Sequence, residues 1–185
     1  MKRIFIAVKV NPEETFLKMI SSFKSALFTE NIKWINPENI HITLAFLGDT
    51  EEKLLKDISS MLDKVCGNSG NFELTIRGTG VFRNINDPRI IWTNIDHSEI
   101  LLKLAEKILS GLTEMSIRLE DKPFKPHITI GRIKHLNSKG TFKKLTEQYQ
   151  NTELQRLHVN EVFLYESILL PQGPKYIPIE RFKLK

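Results

Sequence analysis

Two stretches of the chain share one pattern: Pro37-Glu-Asn-Ile-His41-Ile-Thr43-Leu-Ala-Phe-Leu-Gly48 and Pro123-Phe-Lys-Pro-His127-Ile-Thr129-Ile-Gly-Arg132. Each places a His-x-Thr sequence in an apolar run that follows a proline. Successive side chains of a β-strand point to opposite faces, so the His and Thr of each copy share one face and the flanking apolar residues share the other. Each stretch is therefore predicted to be a strand with a polar face and a core face.

The repetition of this pattern matters more than either copy. A single His-x-Thr is common, because Thr favours strands and a His is often found on an edge strand. Here the two histidines stand 86 positions apart (127 minus 41) in similar contexts. The pair favours one shared functional site over two unrelated strands.

Length and composition indicate an ordinary folded domain. The chain has 185 residues, of which 41% are hydrophobic and 26% charged, and we expect a single domain over 1–185 with two lobes. The net charge of +5 and the isoelectric point near 9.3 suit a polyanionic partner such as RNA. A Lys-rich solvated surface would give the same excess, so both interpretations stand.

Other sequence features bear on the compartment. Cys66 is the only cysteine, so it forms neither an intrachain disulfide nor a cysteine-based zinc site. No apolar stretch is long enough to span a bilayer, and the N-terminal residues lack the pattern of a signal peptide. These features predict a cytoplasmic protein with no membrane partner.

Periodicity predicts alternating strands and helices. A first helix is expected with Asn11 as N-cap and Pro12 in its first turn, a second after Thr50, a third capped by Ser98 and a short fourth over 141–149. A turn at 83–88 would join two strands as a hairpin. The expected strands cover 2–10, 32–35, 40–47, 72–82, 89–95, 127–133, 176–184 and an interrupted run over 154–170.

The order of these elements predicts the fold class. Strong hairpin signals and half-polar strands favour a mixed, mostly antiparallel α+β fold over a buried parallel sheet. The order of strand, helix and motif strand recurs loosely about the middle of the chain. We therefore predict two pseudo-twofold-related lobes, with helices outside and a central cleft to which each lobe contributes one His-x-Thr.

Two imidazoles that face each other, with two hydroxyls beside them, are suited to catalysing a displacement reaction at a phosphate. An unperturbed His pKa of about 6.5 leaves acid and base forms accessible near neutral pH, and Thr hydroxyls can donate to the oxygens of a tetrahedral anion. In-line displacement needs a nucleophile on one side and a leaving oxygen on the other. A 2′,3′-cyclic phosphate is the substrate that this arrangement favours.

Two other classes of function compete with this one. A metal hydrolase would need clustered His, Asp or Glu ligands, and neither motif has them nearby, so no metal is expected. A non-catalytic nucleotide- or RNA-binding module on the same fold would retain the motifs without turnover. The remaining histidines, His97, His135 and His158, are expected to be structural or on the surface. Phe46 and Trp92 could stack on bases or belong to the core.

Several segments together resemble a known family. They are Arg3-Ile-Phe-Ile-Ala-Val8, Trp34, both His-x-Thr stretches, Pro88-Arg-Ile-Ile-Trp92 and Val162-Phe-Leu-Tyr-Glu-Ser167. The chain resembles the two-histidine (2H) phosphoesterases and, among these, the bacterial and archaeal RNA 2′,3′-cyclic phosphodiesterases, also called 2′-5′ RNA ligases. The resemblance covers nearly the whole chain.

The resemblance implies a bilobal 2H fold and a metal-independent, cofactor-free RNA 2′,3′-cyclic phosphodiesterase with possible reverse 2′-5′ ligation. It assigns His41 as proton donor and His127 as proton acceptor, and it makes Thr43 and Thr129 phosphate-binding residues. The implied partners are RNA with 2′,3′-cyclic phosphate ends or cyclic nucleotides, and we expect a monomer.

Arg132 matches an Arg with which the family often binds phosphate. Strict alternation, however, puts it on the opposite face from His127. Either a bulge or strand end intervenes, or Arg132 has a structural role.

Overall fold

A computed structural model describes residues 1–82, 84, 87–119, 123–171 and 173–185. Four α-helices are found in these residues: α1 (Glu14–Ala26), α2 (Leu55–Cys66), α3 (Glu99–Glu114) and α4 (Lys139–Tyr149). The strands there are β1 (Lys2–Lys9), β2 (Asn31–Trp34), β3 (His41–Thr50), β4 (Phe72–Phe82), β5 (Ile90–Asp96), β6 (His127–His135), β7 (Glu153–Val159), β8 (Glu161–Leu170) and β9 (Gly173–Lys183). The predicted turn at 83–88 lies partly outside the described residues.

The strands form two antiparallel sheets, and each sheet holds one His-x-Thr strand. The first sheet has the order β3-β1-β8-β9, and the second has the order β2-β6-β5-β4-β7. The motif strands β3 and β6 also contact each other. The predicted α+β fold with two antiparallel lobes is confirmed.

The chain passes between the lobes more often than the sequence pattern indicated. Helix α1 follows β1 of the first sheet but packs on β7 of the second. Helix α3 follows β5 of the second sheet but packs on β3 of the first. The expected run over 154–170 is two strands, β7 and β8, which belong to different sheets. These exchanges tie the two lobes together.

Each sheet has an apolar face beneath the helices. In β1, Ile4, Ile6 and Val8 are buried in a hydrophobic cluster to which both sheets and all four helices contribute. Phe5 and Ala7, which alternate with them, belong to a separate small cluster with Tyr165. The opposite face of the first sheet is therefore free to form a wall of the cleft.

The start of α1 differs from the prediction. The helix begins at Glu14, not after Asn11, and Glu13 at the N-cap makes no side-chain capping bond. The buried amide of Gln155 on β7 takes that role: its Oε1 accepts from the Glu13 N–H and its Nε2 donates to the Asn11 carbonyl, both at 2.9 Å. A residue 142 positions away thus fixes the helix start, which local sequence does not reveal.

Replacing Gln155 by Ala should destabilise the fold by about 1 to 3 kcal/mol, because the buried Gln155 amide makes two part-buried hydrogen bonds that would both be lost. Urea denaturation at neutral pH measures this free energy of unfolding. The control is Gln148→Ala on the exposed face of α4, for which the change should stay within about 0.5 kcal/mol. Equal midpoints for the two variants would contradict this role of Gln155.

Candidate active site

The two motif histidines begin their strands in the same way. Nδ1 of His41 donates to the Asn39 carbonyl oxygen at 2.6 Å, and Nδ1 of His127 donates to the Lys125 carbonyl oxygen at 2.7 Å. A carbonyl oxygen can only accept, so each Nδ1 carries a proton. Each ring therefore keeps Nε2 for another partner, as a lone pair when neutral and as a donor when protonated.

Both histidines line one cavity of about 410 Å³, a size typical of small-molecule sites. Thr43, Thr129 and Arg132 line it as well, so the structure brings together all five residues selected from the sequence. No Asp or Glu is among its described lining residues. The others are Arg3, Phe5, Lys33, Ile35, Phe46, Ser167, Leu169, Pro174 and Tyr176.

Aromatic rings surround the two imidazoles. The ring centroids of Phe5 and Tyr176 lie 5.1 and 5.3 Å from that of His41. The Phe82 ring meets His127 edge-on at 4.8 Å. The Asn39 side chain also donates a hydrogen bond to the Pro174 carbonyl oxygen at 2.9 Å, which connects the turn before His41 to β9. These contacts restrict the orientation of both rings.

The environment of His41 disfavours its charged form. Burial lowers the pKa of His41 below its usual 6.5, and the positive charges of His127 and Arg132 act in the same direction. The hydrogen bond to the Asn39 carbonyl opposes this shift. Burial also raises the pKa of the neighbouring Tyr176 hydroxyl, while the charges of Arg132 and Arg3 oppose that rise. An anion in the cavity would therefore favour protonated His41.

A β-bulge resolves the position of Arg132. In the pairing of β5 with β6, Ile91 lies opposite Gly131 and Trp92 opposite Thr129, so Ile130 is not paired with any residue of β5. One extra residue reverses the alternation that follows it. Arg132 therefore returns to the face of His127, as the bulge alternative requires.

The other lobe repeats this device. In the pairing of β1 with β3, Ala7 lies opposite Thr43 and Ile6 opposite Ala45, so Leu44 is skipped, three residues after His41 as Ile130 is after His127. Phe46 then takes the place in its lobe that Arg132 takes in the other. The Arg3 guanidinium lies 4.7 Å from the centroid of the Phe46 ring. One lobe thus offers an aromatic ring where its counterpart offers a cation.

The other candidates lie elsewhere. His135 at the end of β6 contacts the Asn137 side chain, His158 is exposed on β7, and His97 precedes α3 with a φ of 55°. Trp92 packs against Phe82 rather than in the cavity. None of these side chains is among the described lining residues.

Cys66 is not a nucleophile at neutral pH. Its side chain is buried, and burial raises the pKa of its thiol to about 12.

Sequence reasoning missed several lining residues, among them Arg3, Lys33 and Tyr176. The alternation of side chains along a β-strand could have identified Arg3 and Lys33. Arg3 alternates with the core residues of β1, and Lys33 lies between Ile32 and Trp34, which pack on the core. Tyr176 carries no such signal, because only the pairing of β8 with β9 brings it beside His41.

Two His-Thr pairs, one from each lobe, converge on a cleft that presents cations and hydroxyls. Such a fold and site define a two-histidine phosphoesterase. The sequence profile of the 2′-5′ RNA ligase superfamily matches residues 13–168. The chain belongs to this superfamily, as the sequence resemblance predicted.

Relatives and solved structures agree with this assignment. The chain is 32% identical over 184 residues to an RNA 2′,3′-cyclic phosphodiesterase of Methanothermobacter thermautotrophicus, covering 98% of each chain. It is 33% identical over 176 residues to one of Thermotoga maritima, covering 94% of this chain and 91% of the relative.

A crystal structure of a Thermus thermophilus protein matches with a TM-score of 0.81 and 30% identity, covering 98% of this chain and 97% of that one. Escherichia coli LigT complexed with 3′-AMP matches with a TM-score of 0.76 over 100% of this chain and 98% of that one. At 22% identity, this match bears on the fold alone.

None of the described helices combines the length and the apolar character that a membrane crossing requires.

The electrostatic coupling at the site can be measured directly. In the protein without ligand, a pH titration of the His41 ring by NMR should have its midpoint below 6.5. Arg132→Gln should move that midpoint upward, because one of the charges that disfavour protonated His41 is removed. Arg156→Gln on the exposed part of β7 is the control and should leave it unchanged. An unchanged His41 midpoint in Arg132→Gln would show that the guanidinium lies too far from His41 to affect its pKa.

Proposed function

We propose that this protein hydrolyses RNA 2′,3′-cyclic phosphate ends to 2′-phosphomonoesters by paired-histidine acid–base catalysis. The observation that carries the proposal is the convergence of two imidazoles with free Nε2 atoms on one cavity. Relatives of about 30% identity or more that bear the name RNA 2′,3′-cyclic phosphodiesterase support the same reaction.

The two histidines and one water molecule account for every proton that the proposed reaction transfers. Nε2 of neutral His127 accepts a proton from water as the water oxygen bonds to phosphorus. The bond between phosphorus and the ribose 3′-oxygen breaks, and Nε2–H of protonated His41 donates to that oxygen. The product keeps its phosphate on the 2′-oxygen and gains a free 3′-hydroxyl. Each histidine is expected to contribute roughly 10²- to 10⁴-fold to the rate.

The remaining polar residues hold the phosphoryl group. We assign the hydroxyls of Thr43 and Thr129 to its non-bridging oxygens, one from each lobe, and the Arg132 guanidinium to its negative charge. The anion compensates the environment of His41, because a negative charge nearby raises the pKa that burial lowers. Substrate binding thus shifts His41 towards the protonated form that a proton donor needs.

The same proposal covers the finer expectations on partners and compartment. We propose that the substrates are RNA ends or cyclic nucleotides, that the protein acts as a cytoplasmic monomer without metal or cofactor, and that the site can run in reverse as a 2′-5′ ligase. We also propose that residues 1–185 form one domain, which the hydrophobic cluster shared by both sheets supports.

His41→Ala and His127→Ala should each reduce hydrolysis of adenosine 2′,3′-cyclic phosphate by roughly 10²-fold or more, with activity of the unmodified chain unchanged by EDTA. Chromatography of the products measures the rate and distinguishes 2′-AMP from 3′-AMP. His158→Ala, far from the cavity, is the matched control and should retain full activity. Binding of the cyclic nucleotide without any monophosphate product would favour the non-catalytic module instead.

A substrate whose 3′-oxygen is replaced by sulfur separates the two roles. A thiolate leaves without protonation far more readily than an alkoxide, because thiols are much stronger acids than alcohols. His41→Ala should therefore recover most of its lost rate on the 3′-thio substrate, whereas His127→Ala should not. Recovery in the His127 variant alone would reverse the assignment of donor and acceptor.

A further inference from the structure

The cavity holds more positive charge than one cyclic phosphate requires. Arg132 and protonated His41 can balance the single negative charge of a cyclic phosphodiester. Lys33 and Arg3 also line the cavity, and in the described part of the chain neither forms an ion pair with a carboxylate. Two cations therefore remain without an anionic partner.

The register of the second sheet places Lys33 beside another cation. Lys33 on β2 lies directly opposite Arg132 on β6 in the register of the second sheet, and both side chains line the same cavity. Like charges at directly opposed strand positions destabilise a sheet. An anion between them would remove this repulsion and make charge-assisted hydrogen bonds to both.

The position of the Lys33 ammonium differs from that of the reacting centre. A methyl group on Gly173, in β9 of the other sheet, would lie 3.9 Å from Lys33 Nζ. The Lys33 side chain therefore extends from β2 towards the β8–β9 hairpin, where Leu169 is 69% exposed to solvent. Arg132, by contrast, lies within electrostatic reach of His41 and Tyr176. Lys33 thus lies beside the β8–β9 hairpin, whereas Arg132 lies close to His41 and Tyr176.

We propose that Lys33 forms a second anion subsite on the side of the cavity next to the β8–β9 hairpin, which binds the phosphodiester on the 5′ side of the terminal nucleotide. The proposal rests on the hydrolase function above. In an RNA chain end this phosphodiester is the nearest second anion to the cyclic phosphate, whereas a free cyclic mononucleotide lacks it. The subsite therefore selects the ends of RNA chains over cyclic mononucleotides.

Two substrates that differ only in this anion test the proposal. The first is adenosine 2′,3′-cyclic phosphate, and the second carries in addition a 5′-methyl phosphate diester, which reproduces the single charge of the RNA backbone. The unmodified protein should use the second with a kcat/KM about tenfold higher, as one charge-assisted contact allows. Raising the salt concentration from about 50 to 200 mM should reduce this preference.

Substitutions locate the preference in Lys33. Lys33→Gln should reduce the tenfold ratio to less than about twofold, while Lys33→Arg should keep most of it because the charge remains. Lys107→Gln on the exposed face of α3 is the matched control and should leave the ratio unchanged. Because the ratio compares two substrates on one variant, a general loss of folding or catalysis cancels.

The possible failures are distinguishable. Equal kcat/KM values for the two substrates in the unmodified protein, or a preference that persists in Lys33→Gln, would overturn the subsite and leave the hydrolase function standing. Failure of the unmodified protein to hydrolyse either substrate would overturn the hydrolase function itself.

Discussion

The hydrogen bonds from the two Nδ1 atoms to the carbonyl oxygens two residues upstream are the constraint on which the site depends. They fix the proton position in both rings and leave the two Nε2 atoms for the cavity. The prolines at 37 and 126 precede the two strands, and the turn before His41 is further held by the Asn39 side chain. Without these bonds only the aromatic contacts would orient the two imidazoles, and the paired-histidine mechanism proposed above requires both rings to keep a defined orientation.

The residues that line the cleft determine its electrostatic potential. Cations and hydroxyls face a space whose described lining includes no carboxylate, so the cavity is suited to an anion and His41 is held towards its neutral form without one. On the proposed mechanism, a bound phosphate would raise the pKa of His41 and so favour the protonated form that a proton donor needs.

Pseudo-twofold symmetry describes the backbone better than the side chains. Both motif strands have a bulge three residues after the His, and both return the fifth residue to the cleft. That residue is Phe46 in one lobe and Arg132 in the other, and both line the cavity. Two strands with similar backbones thus form a site with different side chains on its two sides.

The sequence predicted the fold class and the central pair of histidines because both depend on local patterns. Strand alternation and hairpin signals are local, and the repeated His-x-Thr is visible in the chain itself. Arg132 could not be assigned to a face, because strict alternation fails at a bulge that only strand pairing reveals. Gln155 at the start of α1, and Tyr176 beside His41, depend on contacts between residues far apart in the chain.

The most direct test is the pH dependence of kcat/KM for hydrolysis of a 2′,3′-cyclic phosphate under conditions where chemistry limits the rate. The proposed proton donor, His41, must carry its proton, and burial lowers the pKa of that ring, so the rate should fall as the pH rises. The proposed reaction needs one imidazole in its acid form and the other in its base form at the same time, so the profile should be bell-shaped. A rate that stays constant from roughly pH 5 to 8, the range in which histidines change charge, would contradict catalysis by a pair of imidazoles.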